Sequence, residues 1–232
     1  MKEYKKITAV IILSLSILIV PFVSVSAFEP QRPKVNHVFD FEKEAKINDV
    51  VNLPTQKAFE KLKDMEFFIN DNLLHKAVFK TFTNRKGEGI NLALNYLKLP
   101  EREIINGKSV DRTNDFYVVK KIFEVFPEES VNKILKLYKN GDAVTKGNII
   151  RASGNVSGNA IRKLLIKALN VKTVCEVEYP EMDGEPLRIC DVAYNQLVLR
   201  YKVKDVLRTI GNGYKLEIRD YHIGILKSKL KS

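Results

Sequence analysis

Tryptophan is absent from this 232-residue chain, and cysteine and histidine are scarce, at two and three. Two cysteines are too few for the multi-bridge framework of a small disulfide-rich domain or for a four-thiolate zinc site. The histidines His37, His75 and His222 are far apart, and none belongs to a His-x-x-x-His or His-Glu-x-x-His pair, which excludes the common zinc-hydrolase patterns. His222 follows Asp220 by two residues, a spacing that a helix does not bring to one face, so a local acid–base dyad is excluded too. Gly211 and Gly213 form a turn signal, but Leu216 stands where a dinucleotide fingerprint needs its third glycine. No acid, base and nucleophile stand close enough in this pattern to name a catalytic residue, and no metal or cofactor set is implied.

Long uncharged runs are also lacking, with one exception. Lys2, Lys5 and Lys6 precede a largely apolar stretch without a charge over 7–20, closed by Pro21, and Val25-Ser26-Ala27 supplies the short side chains that signal peptidases need. Residues 1–27 therefore read as a secretory signal peptide, cut after Ala27. The competing reading is an uncleaved anchor, since 7–27 approaches the roughly 20 apolar residues that span a bilayer. No cysteine adjoins the cleavage site, so a lipoprotein is not implied. The expected location is the periplasm or exterior of a bacterium, with membrane attachment only if the leader is retained.

The leader holds three lysines and one glutamate, so the formal charge of +11 becomes +9 without it, over one domain's length of chain. A hydrophobic content of 45% supports a packed core. The basic surface suits nucleic acid, but an exported protein rarely meets any. An acidic protein partner or an anionic envelope component is the expected counter-charge. Lys227, Lys229 and Lys231 at the chain end complement a helix C-terminus without needing a ligand.

Cys175 and Cys190 admit two readings, a disulfide suited to an oxidising compartment or two buried thiols, Cys190 lying on an apolar helical stripe. Between them runs the most distinctive local feature, an acidic loop carrying Glu176, Glu178, Glu181, Asp183 and Glu185. Its spacing is not that of a calcium-binding EF-hand, and a solvated or partner-facing loop is expected. Arg188, Asp191 and Tyr194 follow at once and complete the set of candidate interaction residues.

Helical periodicity dominates the rest. Residues 28–54 read as an extended arm with at most one short helix near 40–47. Residues 55–112 form a helical region, with Ala58, Phe59, Leu62, Met65 and Ile69 on one stripe and Leu74, Ala77, Val78, Thr81 and Phe82 on the next. Gly87-Glu88-Gly89 is expected to break that run, and 100–114 to be a polar connection. From 113 to 232 the stripes are more regular. Val118, Val119, Ile122, Phe123 and Phe126 precede Pro127, and Val131, Ile134, Leu135 and Tyr138 end at Asn140-Gly141. Asp142 is placed to cap the next helix, whose Ala143, Gly147, Ile150 and Gly154 make a face small enough for close packing. Ile161, Leu164, Leu165, Ala168 and Leu169 follow. Leu187, Cys190, Ala193, Tyr194, Leu197, Val198 and Tyr201 line another face with Asp191 and Asn195 off it or at its border. A short helix over 203–210 and a last one over 216–230 complete the pattern.

Val131, Ile134 and Leu135 match Ile161, Leu164 and Leu165 at an offset of thirty, and helix pairs recurring at a fixed period bury their stripes only by stacking pair on pair. The stretch from Asp142 to Val156, with an aspartate opening the helix and Ala-x-Gly-x-aliphatic closing it, resembles the second helix of a HEAT-like repeat. Gly184 to Asn195 is similar to an elaborated terminal repeat of bacterial HEAT-repeat proteins. An offset of thirty is shorter than typical HEAT units, and Ser153 stands where their pattern has leucine. The resemblance covers about 115–230 and implies an all-α fold, a short HEAT-like α-solenoid of stacked helix pairs that binds other macromolecules and has no catalytic residues to carry over. The expected function is a non-enzymatic scaffold in protein–protein or envelope-polymer interactions. The alternative is an enzyme or lyase-like protein with a site assembled near the acidic loop 176–185 and the helix over 186–201.

Overall fold

The structure is a computed structural model that describes residues 37–64, 67, 70–176 and 184–230. The leader and the first part of the expected arm fall outside these residues, as do Glu178, Glu181 and Asp183. The chain divides into one unit up to Phe41 and another from Glu42 to Ser232, and the architecture below is that of the second. It is mostly helical, with a single two-stranded sheet among the described residues.

The expected arm contains a helix, α1, over His37–Val51, longer than the 40–47 segment foreseen. Ile47 and Val50 are buried, three residues apart and so on one face. Pro54 ends that segment and precedes α2, Thr55–Leu62. Ala58, Phe59 and Leu62 of α2 are buried as the stripe requires. Helix α3 covers Asp71–Phe82, capped by Asn70, whose side chain accepts from the Leu73 amide at 3.1 Å.

The glycine pair expected to break the chain does not do so. Gly87 and Gly89 lie inside α4, Lys86–Tyr96, and the break is a 3₁₀ turn over Thr83–Arg85. A Cβ on Gly89 would stand 2.7 Å from the Phe82 ring, so its missing side chain serves packing, while nothing lies within 4 Å of one on Gly87. The 100–114 connection is likewise more ordered than expected. It is a β-hairpin, β1 Arg102–Ile105 against β2 Lys108–Asp111, with Ile105 opposite Lys108. Asn106 and Gly107, at φ 51° and 74°, supply the two left-handed residues that a tight two-residue hairpin turn needs.

Helices α5 (Thr113–Val125) and α6 (Pro127–Asn140) meet at Pro127, which sits in the first turn of α6, where its missing N–H costs nothing. Asp142 caps α7 (Ala143–Ser153), its carboxylate accepting the Thr145 amide at 2.7 Å. Helix α8 spans Asn159–Ala168 and buries Ile161, Leu164, Leu165 and Ala168. Each of these isoleucine and leucine side chains is worth about 1.5–3 kcal/mol when fully buried. Helix α9 spans Ile189–Tyr201 and α10 Leu216–Lys229. No helix forms over 203–210. Lys202, just before it, and Asp205, within it, have positive φ, and the Tyr194 hydroxyl and the Asn195 amide bond the backbone of Leu207 and Ile210 instead.

From α2 to α10 every helix packs on the next, and a second set of contacts skips one. Helices α3, α5, α7 and α9 touch in succession, and so do α2, α4, α6 and α8. Burial follows this division. Helix α7 has α5 and α9 on either side and α6 and α8 against it, and seven of its residues, including the polar Thr145, Asn148 and Ser153, are buried. Helix α6, by contrast, buries Ser130 and Ile134. The small face of α7 meets a helix as foreseen at Gly154, which leaves room for the Gln196 side chain of α9, whereas Gly147 leaves room for Cys175 on the non-helical segment 171–176. The buried Lys121 of α5 is neutralised by Asp71 at 2.7 Å and Glu124 at 2.9 Å. Among the described residues no helix is long and apolar enough to cross a membrane.

Candidate functional site

Of the interaction residues expected around the acidic loop, Glu176, Arg188 and Asp191 meet at the N-terminus of α9. Asp191 is fully buried, not at the border of the stripe as its sequence position suggested. Its carboxylate caps the helix, accepting from the Arg188 backbone amide at 3.0 Å, and pairs with the Arg188 guanidinium at 3.0 and 2.9 Å. Arg219, from α10, donates to the same carboxylate at 3.1 Å. Such a site is one that helical spacing alone does not reveal, because the two arginines lie on different elements.

Arg219 has no exposed surface, and all five of its N–H groups are used. Besides Asp191 they reach the carbonyls of Tyr214, Pro186, Glu185 and Asn212 at 2.6 to 3.1 Å. A buried guanidinium is tolerated only when paired and fully bonded, and this one is. On the solvent side Arg188 also donates to Asp220 at 2.8 Å, and Lys172 to the other Asp220 oxygen at 2.6 Å. Burial raises the Asp220 pKa, but the bonds from Lys172 and Arg188 outweigh it and hold the carboxyl below its ordinary value. The bonds that Arg188 donates to Asp191 raise its own pKa.

Glu176 accepts from the Leu187 amide at 3.1 Å and from Asn212 at 3.0 Å, so it belongs to the same clasp. Glu185 contributes its carbonyl, with its side chain exposed. Tyr194 is buried and its hydroxyl donates to the Leu207 carbonyl at 2.7 Å. The polar atoms gathered here therefore face protein partners, and their arrangement does the work of a fastener joining 184–188, the 211–214 turn and α10 to α9.

Cys175 and Cys190 are both buried free thiols, on segments that run antiparallel through the Val174–Arg188 bridge. Burial pushes the Cys175 thiol up to about 12 and Cys190 up to about 11. Gly147 lies against the first of them. Among the described residues no three His, Cys, Asp or Glu side chains converge as metal ligands would.

Two depressions elsewhere stand out among the described residues. One, of about 450 Å³, lies where α5, α7 and α9 approach and is bordered by Glu124, Gln196 and Arg200. Arg200 is committed to the carbonyls of Gly154, at 3.0 Å, and Val156. The other, of about 380 Å³, runs between α4 and α6. Half-buried Leu94 and Leu137 give it an apolar surface, and Lys98, Lys133 and Lys136 surround them. Sequence reading passed over it, since its members are ordinary polar residues on the outward sides of two amphipathic helices. The signal was available as Asn91, Asn95 and Lys98 at positions i, i+4 and i+7. Compared with known proteins, the chain matches no family model, no curated protein and no solved structure.

Proposed function

We propose that the protein is an exported, non-enzymatic scaffold whose helices stack as a short HEAT-like α-solenoid and whose cationic surface holds a component of the bacterial envelope. The observation that carries the reading is the two-row packing, with α3, α5, α7 and α9 in one file and α2, α4, α6 and α8 in the other. Each helix pair buries its stripes against the pairs before and after it, which is how repeat arrays are stabilised. Helices α5 and α7 begin thirty residues apart, at Thr113 and Ala143, in line with the offset between the stripes of α6 and α8. Other intervals are longer, the one from α3 to α5 because the β-hairpin is inserted there. The Arg219 clasp closes the array at its last helices.

A leader followed by a net charge of +9 favours an acidic protein or an anionic polymer as the partner. The test is retention of envelope components on the immobilised protein, with salt elution. A discrete, saturable partner released by salt is expected. Recovery of none, together with turnover of an envelope metabolite, would overturn the proposal.

A further inference from the structure

The groove between α4 and α6 gathers three lysines around two half-buried leucines. Several lysines elsewhere are matched to carboxylates: Lys63 to Asp115, Lys80 to Glu44, Lys86 to Glu129, Lys172 to Asp220. No such match occurs in the groove. Lys133 donates to the Asn91 carbonyl oxygen at 2.8 Å and Lys98 to that of Asn95 at 3.0 Å, while Lys136 bonds no described residue. These bonds occupy the side-chain oxygens of Asn91 and Asn95 and leave their NH₂ groups as donors without an acceptor among the described residues. Ammonium and amide N–H groups thus stand around Leu94 and Leu137, with no carboxylate in the lining. Such a surface asks for a ligand rich in acceptors, negatively charged, with an apolar portion between its charges.

We infer that this groove is a docking site for an extended acidic segment of a partner protein, in which carboxylates alternate with apolar residues. The inference rests on the scaffold reading above and names where its partner binds. Four residues of helix advance about 6 Å, so Asn91 and Asn95 are separated by that rise. Alternate residues of an extended strand are about 6.6 Å apart. Carboxylates at alternate positions therefore keep step with the donors of α4, and the side chain between them points to the opposite face of the strand, toward Leu137 on α6. A volume of about 380 Å³ suits a few such residues. Charge complementarity selects the acidic peptide, and the leucine pair separates it from a phosphate polymer, which has nothing to place there.

The experiment is fluorescence anisotropy of a labelled octapeptide of alternating Glu and Val on the purified full chain. The all-Gln counterpart and polyphosphate serve as comparison probes. Binding of the Glu peptide is expected, weakened at least tenfold by Lys98→Glu or Lys136→Glu, both exposed positions. Lys57→Glu, an equal change of charge on exposed α2 surface, is expected to stay within twofold, and Leu137→Ala to weaken the peptide while leaving polyphosphate unaffected. Equal loss in Lys57→Glu, equal binding of the Gln peptide, or binding of polyphosphate alone would overturn the inference. So would self-association of the chain that Lys136→Glu abolishes, since the occupant would then be a second copy. If an envelope partner is retained undiminished by both groove variants, the groove assignment fails and the scaffold reading stands.

Discussion

Replacing Asp191 with alanine should cost far more than replacing Asp220, although both carboxylates accept from Arg188. Asp191 is fully buried and joined to two guanidiniums, one of which, Arg219, has no exposed surface. Removing one member of a buried pair leaves the other charge uncompensated, at about 3–5 kcal/mol. Loss of the bond to the Arg188 amide removes the α9 cap, worth about 1 kcal/mol more. The Asp220 side chain is 36% exposed, and an ion pair in that setting contributes about 0–1 kcal/mol. With a urea slope of about 2 kcal/mol/M, Asp191→Ala should lower the midpoint by about 2–3 M, and Asp220→Ala by no more than about 0.5 M. Urea titrations followed by circular dichroism at 222 nm give both numbers. Arg219→Lys should fall in between, because an ammonium has three donors for positions that now use five. Equal midpoints for the two aspartate variants would refute the claim that the clasp is a buried, mutually dependent unit.

The glycines of α4 should respond in opposite directions. Gly87→Ala gains up to about 1 kcal/mol of helix propensity in open space, whereas Gly89→Ala drives a methyl into the Phe82 ring and costs about 1–3 kcal/mol, both readable from thermal melts. Asp142 is held below its ordinary pKa by the Thr145 amide, so its contribution is present above about pH 3.9 and lost as pH falls through its lower folded value. Asp142→Ala should therefore cost about 1 kcal/mol at pH 7, while Asp142→Asn keeps the cap and flattens the acid limb of the stability–pH curve. Thiol titration at pH 8 should find Cys175 and Cys190 unreactive in the folded protein and both reactive in urea. Rapid native labelling would contradict their burial, and no labelling in urea would reveal a bond between them.

Much of the helical pattern was legible because burial repeats every three to four residues, as in Ile161, Leu164, Leu165 and Ala168. Asp142 was legible as a cap because its role is local. What escaped depended on contacts between distant segments. Arg219 sits where the inward stripe of α10, with Ile223 and Leu226, calls for an apolar residue, and a cation in such a place was the available sign of a buried partner. Gly87 and Gly89 looked like punctuation, but the Phe82 ring gives Gly89 a steric purpose that only the fold reveals. The Asn106-Gly107 turn carried a hairpin signature within the sequence itself, and the polar residues around it obscured the signal. Over 203–210 apolar spacing suggested a helix, and side chains of α9 claimed the backbone first.

That hairpin has a practical use. Its stem is stitched down by the Arg112 amide on the Glu101 carbonyl at 2.7 Å, by Arg151 on the Glu101 carboxylate, and by Asn148 on the carbonyls of Leu97 and Leu99. The bend at Asn106 and Gly107 is exposed. An epitope or a fluorophore spliced at that bend would ride outside the helical array, giving a visible handle on the protein without disturbing the stacked core.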